Sequence, residues 1–236
     1  MILFLIIITI IAFMGKYIYD LHNFNLNASI QQLQSSNSMI IQDKLKDKNP
    51  LIIHNLGNKY ENLHNYTFER LIEQNPGYII NHNHKFISLE SFGDETIQQM
   101  NIYKNHKLIT DLNLQETMKD IIKPFTNQLT CNENYSLSLL KGMNTISLTQ
   151  NKRNLLLIHQ ISGKSTLYLF NPKHKEDIIN KKNNEIKKWS HKINLEEGLI
   201  VSIPSEWYYF YECEDISIVS SLEYDTYFTY LYNLLR

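Results

Sequence analysis

From Asn49 onward the chain is cut into short extended runs by turn formers, and that pattern excludes most architectures. Leu155 to Ile161, Ser165 to Phe170, Leu199 to Ile203, Trp207 to Tyr211 and Ile216 to Ser221 are rich in leucine, isoleucine, valine and aromatic residues. Pro50 to His54, Tyr78 to Ile80, Lys85 to Leu89, Ser136 to Leu140 and Thr145 to Leu148 read the same way. Helical patterning is confined to three segments. Thr67 to Glu73 is stopped by Asn75-Pro76-Gly77, Leu114 to Ile122 ends at Lys123-Pro124, and Tyr227 to Leu235 closes the chain. Many short strands preceded and flanked by helices imply a mainly β fold, a sandwich or barrel with helical decoration.

The N-terminus obeys a different rule. Met1 to Phe13 is an unbroken apolar and threonine-containing run, extended through Lys16, Tyr17 and Tyr19 before the first acid at Asp20. A helix rising about 1.5 Å per residue needs roughly 17–25 residues to cross the hydrocarbon layer. Met1 to Tyr19 meets that length if Lys16 snorkels and the tyrosines sit at the interface. A single-pass anchor is therefore expected. The rival readings are a cleaved signal peptide, disfavoured by the lack of a basic leader and a small-residue cleavage site, and a buried helix. Lys16 weakly orients the following domain to the cytoplasmic side. The organisation expected is an anchor at 1–19, a polar tether at 20–48 with a helix around Ile30 to Leu33, and a β domain at 49–236.

Charge gives no reason to expect nucleic acid as a partner, which would need a local basic patch. With 23 Lys and Arg against 24 Asp and Glu, no global field recruits nucleic acid. Cys131 and Cys213 make no disulfide framework or zinc spacing and are expected as free thiols. Sequons at Asn27, Asn65 and Asn134 carry little weight in a chain this rich in asparagine, a composition that suggests an AT-rich genome, viral or parasitic.

Three stretches carry more information than composition does. They are NPLIIHNL from Asn49, QISGKSTLYLFNP from Gln160, and LEEGLIVSIPSEWYY from Leu195. The first is similar to the opening Pro-Val-Val-Ile strand of the cupin-like JmjC family. The second resembles that family's Gln-x-x-Gly-x-Lys-x-x-x-Leu-Phe-x-Pro hairpin, and the third its Gly-Asp-x-x-x-Ile-Pro-x-x-Trp-x-His turn and strand. The resemblance covers 49–236 and is strongest from Gln160 on. It implies a double-stranded β-helix, the jelly-roll barrel of the iron(II) and 2-oxoglutarate dioxygenases.

The same alignment puts unsuitable residues at the family's iron positions. Its facial triad is two histidines and a carboxylate. The His-x-Asp pair maps to Gln150 and Lys152, and the second histidine to Tyr209. An amide, a cation and a neutral phenol do not make that triad. The 2-oxoglutarate lysine maps to Ser165, with Lys164 one step early and thus on the opposite strand face. A pocket asparagine maps to Leu156, or to Asn154 under a shifted gap, and Ser147 stands where a threonine is common. His159, by parity, points out of the barrel.

The other candidate residues have blander readings beside the functional ones. His82 and His84, at i and i+2, form the only alternative metal pair, in a segment that reads as a turn. His54 reads as a core or edge histidine. The tyrosines at 208–211 and 224–232 read as packing in preference to a stacking platform. The basic stretch Lys173 to Lys188 reads as a solvated excursion. Lys152 has two readings, an ammonium aimed into the barrel to hold an anionic ligand, or a strand-end side chain snorkelling to solvent. The resulting expectation is a membrane-anchored pseudoenzyme, a binding or structural module without cofactor. Its partner would be a protein or small anion, and association through the C-terminal helix is an option. The alternative is an Fe(II) and 2-oxoglutarate-dependent hydroxylase or demethylase with a non-standard metal site.

Overall fold

The computed structural model describes residues 2–22, 29–34, 37–54, 56, 66–82, 85–94 and 99–235. Asn27 and Asn65, two of the sequons, lie outside them. The N-terminal apolar run forms helix α1 (Ile2–His22), and no residue of its Ile2–Tyr19 window is buried. It is long and apolar enough to cross a membrane. Next come β1 (Gln31–Leu33), α2 (Ser38–Leu45), β2 (Leu51–Ile53), α3 (Phe68–Gln74), a hairpin of β3 (Ile79–His82) and β4 (Lys85–Ser88), and α4 (Leu89–Gly93). These lead into β5 (Met100–Asn105), α5 (His106–Asp111) and α6 (Leu114–Ile122).

The remainder is mostly strand. It comprises β6 (Thr130–Lys141), β7 (Asn144–Thr145), β8 (Thr149–Gln150), β9 (Leu155–Phe170), β10 (His191–Leu195), β11 (Ile200–Pro204) and β12 (Tyr208–Thr226). Short helices α7 (Lys175–Ile178) and α8 (Asn183–Ile186) fill the excursion between β9 and β10, and α9 (Tyr227–Leu235) follows β12. The molecule is thus mixed helix and strand, built on one large sheet.

Two strands organise that sheet. Antiparallel β9 and β12, 16 and 19 residues long, pair along almost their whole length. Where separate strands are expected at 155–161 and 165–170, there is one continuous strand bent at Gly163, whose φ is +74°. The expected strands at 207–211 and 216–221 merge likewise into β12, with register shifts around 213–219. On one side of the bend the neighbours run β1-β2-β11-β9-β12-β6-β5. On the other side β10 flanks β9, and β7 and β8 flank β12. Among the described residues no ladder joins β1 to β5, so the sheet stays open.

Strand alternation sorts the side chains into three cores. Leu156 and Ile158 of the first half of β9 face Leu167 and Leu169 of its second half across an interior also filled by Val201 and Trp207. Inward positions change from even to odd at Gly163 because the left-handed residue rotates the backbone there. The opposite face of the first half, with Leu155 and Leu157, packs under α6, whose Leu114, Met118, Ile121 and Ile122 recur at helical spacing. His159 lies on that covered face, outside the interior, as its parity predicts.

Two segments behave differently from their composition. Gln31–Leu33 is a strand, not the expected helix, because it adds in parallel to β2 and gains its hydrogen bonds there. The basic excursion is not merely solvated, since Ile178 and Ile186 pack on Phe170, Tyr208 and Phe210 and cover the outer face of the second half. Its lysines still point outward in part, with Lys188 lying 4.0 Å from the centroid of the Trp189 ring.

Candidate functional site

Among the described residues the interior between the two halves of the sheet is mostly apolar, and its polar groups gather chiefly at the Gly163 bend and at a corner beside Tyr209. At the bend, fully buried Gln160 is tied on both ends of its amide. Its Oε1 accepts from Ser165 Oγ at 2.7 Å, and its Nε2 donates to Ser162 O at 2.7 Å and Ser217 Oγ at 2.6 Å. Ser165, at the position the resemblance gives to a 2-oxoglutarate lysine, is therefore spent on the fold. Lys164 is exposed on the other strand face, as parity requires.

The corner is built by β5, β12 and the loop before β9. Tyr209 is 1% exposed, and its hydroxyl lies 3.3 Å from that of Tyr103. Lys104 reaches them through an irregularity in β5. Its φ is +48°, the β5–β6 register shifts between Ile102 and Asn105, and its N–H donates to Ser138 Oγ at 2.9 Å. The Lys104 ammonium sits 5.7 Å from the centroids of both tyrosine rings and is salt-bridged to Glu223. Burial holds the hydroxyls of Tyr103, Tyr209 and Tyr211 well above the ordinary tyrosine range, so all three stay protonated phenols.

The charges continue outward from there. Arg153 Nε lies 3.9 Å from Glu223, and Arg153 Nη1 donates at 2.6 Å to Asp225, which is fully buried. Asp225 also accepts from Asn132 Nδ2 at 3.1 Å and from the Asn154 backbone N–H at 3.3 Å. Two cations and two carboxylates thus cancel within one chain of contacts. This arrangement orders the corner without leaving net charge for a ligand.

Of the residues that the resemblance assigns to the pocket, only some meet. Leu156, Ser165 and Tyr209 face the interior. Gln150 is half-buried at its edge and donates to Glu206 Oε2 at 2.8 Å. Ser147 is exposed. Lys152 is exposed too, in keeping with its strand-end reading and against the one that aims its ammonium into the barrel. The residue of that loop that turns inward is Asn151, whose Nδ2 donates to Ile203 O at 2.8 Å and Pro204 O at 3.0 Å. The cation beside Tyr209 is Lys104, which no sequence signal marked. Asn154 is half-buried, its side-chain oxygen accepting from the Tyr17 hydroxyl at 3.2 Å. His84 and the side chain of His82 lie outside the described residues.

The corner does not fit a divalent metal. Its donors are two protonated phenols, an amide already bonded, and carboxylates already paired with Lys104 and Arg153, whose charges repel the ion. Among the described residues no group of three or more His, Cys, Asp or Glu is arranged to hold one. Cys131 and Cys213 are free thiols, Cys213 buried. No family model matches the sequence, and a search of curated proteins returns no match.

Proposed function

We propose that the chain is a membrane-anchored, JmjC-related double-stranded β-helix without an iron centre, serving as a non-catalytic binding or structural module. The architectural part of this reading rests on pairing order. One half of the sheet runs β6-β12-β9-β11 and the other β8-β12-β9-β10, the interleaved arrangement of two four-stranded sheets sharing long strands. The anchor part rests on the exposed, apolar α1.

The single observation that carries the loss of metal chemistry is the position of Lys104. Its ammonium, neutralised by Glu223, puts a fixed cation next to Tyr209, the phenol that the resemblance aligns with an iron histidine. A fixed cation of this kind holds the corner together but offers no open coordination position and no redox couple.

The test is thermal unfolding of the detergent-solubilised full chain with Fe²⁺ or Mn²⁺, with and without 2-oxoglutarate. A ligand present at one hundred times its Kd adds about 2.7 kcal/mol, or roughly 5–10 °C in Tm for a domain of this size. The expected shift is nil under every combination. A rise of that size with metal and 2-oxoglutarate together would restore the oxygenase reading.

A further inference from the structure

The face of α9 that turns away from the domain is apolar where a surface helix is ordinarily polar. Tyr227, Tyr230, Leu231 and Leu234 recur at spacings of three and four residues and are exposed, Leu234 to 64%. The opposite side holds fully buried Thr229. Such an inverted helix presents a stripe of two leucines and two tyrosines to whatever surrounds it.

Its surroundings are fixed by α1. The Tyr17 ring lies 5.0 Å from that of Phe228, and the Tyr17 hydroxyl bonds Thr226 and, at 2.8 Å, Thr229. The C-terminal part of α1 is therefore seated on the first turn of α9. If α1 crosses a bilayer from Ile2, the 18 residues to Tyr19 rise about 27 Å, close to the hydrocarbon thickness. Tyr17 then stands at the water interface. Phe228 and Thr229, in contact with it, stand at the same level.

A cationic group lies alongside. The groove bordered by Asn132, Lys152, Arg153, Tyr230, Asn233 and Leu234 carries the exposed Lys152. Asn233 Nδ2 donates to Lys152 O at 3.0 Å, tying this loop to α9. Arg153 is occupied by Asp225, which leaves Lys152 to meet an anion from outside.

We infer that α9 and Lys152 form a second membrane contact, the helix lying in the interface of an anionic phospholipid leaflet and Lys152 meeting lipid phosphate. This rests on the anchor reading and adds to it a fixed posture, with the β domain held down against the surface from which α1 emerges. Tyrosine at the interface, leucine below it and a basic residue at headgroup level are the side chains such a helix needs.

The experiment places a single environment-sensitive fluorophore on the full chain in vesicles, in a Cys131→Ser background, at Leu231→Cys, at Ile7→Cys in α1, or at Lys181→Cys on the exposed excursion. With α1 inserted and α9 docked, lipid-borne nitroxide quenches the first two and aqueous iodide the third. Quenching of Leu231→Cys by iodide while Ile7→Cys stays in lipid overturns the inference and leaves the anchor standing. Quenching of Ile7→Cys by iodide overturns the anchor, and the inference with it. Protection of Leu231→Cys from both quenchers, with copy-to-copy crosslinking there, assigns the face to a second chain and overturns the lipid contact.

Lys152 is read separately. In vesicles containing phosphatidylserine, Lys152→Glu is expected to lower the ratio of docked to undocked α9 by about fivefold or more, the equivalent of about 1 kcal/mol per lysine at an anionic surface. In pure phosphatidylcholine the two chains should be alike. Equal behaviour in both lipids removes Lys152 from the contact.

Discussion

The Gly163 bend, in β9 against β12, and the corner at Tyr209, where β5 and β12 meet the loop before β9, are finished by opposite means. At the bend the backbone itself closes the structure. A Cβ on Gly163 would stand 2.0 Å from Ile216 O, and the φ of +74° lies where only glycine is at ease. At the corner the closure comes from side chains, with Lys104 on Glu223 and Arg153 on Asp225 around buried Tyr209 and half-buried Tyr103. The bend admits one residue type. The corner admits any set of residues whose charges cancel and whose shapes fill it.

The largest effect that would break this contrast is at the bend. Gly163→Ala must move backbone, because the atom it meets is a carbonyl oxygen, and is expected to cost ~3 kcal/mol or more. Gly77→Ala is the control, since nothing lies within 4 Å of its added methyl and its φ is not positive. Urea unfolding of both variants checks the pair. A Gly163→Ala chain within about 0.5 kcal/mol of the parent would show that the bend is not fixed by its backbone.

At the corner the effect is smaller and depends on pairing. The Lys104 and Glu223 side chains are 19% and 20% exposed, so Glu223→Gln leaves a mostly buried ammonium with its charge uncompensated. A loss of about 2 kcal/mol is expected, below that of a fully buried pair because some water still reaches it. Adding Lys104→Met should restore at least half, since the residual cost lies in the unpaired charge and not in the lost contact. Additive losses in the double variant would mean that the corner is as residue-specific as the bend.

That difference also explains what could be read from the chain. Helices α6 and α9 begin and end where their patterns place them, because apolar spacing and Pro124 are local signals. Gly163 was legible as the break between two apolar runs, because glycine is the residue that a left-handed bend admits. Strands β5 and β10 were not, being short and half polar, as MNIYKN and HKINL, and identified only by the neighbours they pair with. Lys104 was invisible for a further reason. It enters the corner through a left-handed, non-glycine residue at a bulge, and nothing in the local sequence announces either the bulge or a partner at Glu223, far along the chain. Lys152 faces solvent, as its strand-end reading has it, because the ladder ends at Gln150 and it is Asn151 that turns inward.

Tyr209→Phe sharpens the corner at lower cost. It removes one hydroxyl bonded at 3.3 Å to Tyr103 and keeps the ring beneath Lys104, so a loss of about 0.5–1.5 kcal/mol is expected in the same unfolding assay. A larger loss would place the stability of the corner in the phenol pair and not in the ion pair.

The smallest effect lies on the second half of the sheet and depends on pH. His191, half-buried opposite Leu169, is held below the ordinary histidine value of 6.5, first by burial and then by the charges of Lys173 and His174. The unfolded chain therefore binds this proton more readily than the folded one. The contribution to stability is complete above about pH 6.5 and is lost as pH falls from there through the lowered folded value. Thermal unfolding at about pH 7.5 and about pH 5.5 reads the difference, still largely above the range where carboxylates titrate. His191→Gln, which cannot take up the proton, should lose less on acidification than the parent. Equal losses would mean that acid acts elsewhere, and the β10 edge would then join the bend as a region fixed by backbone pairing alone.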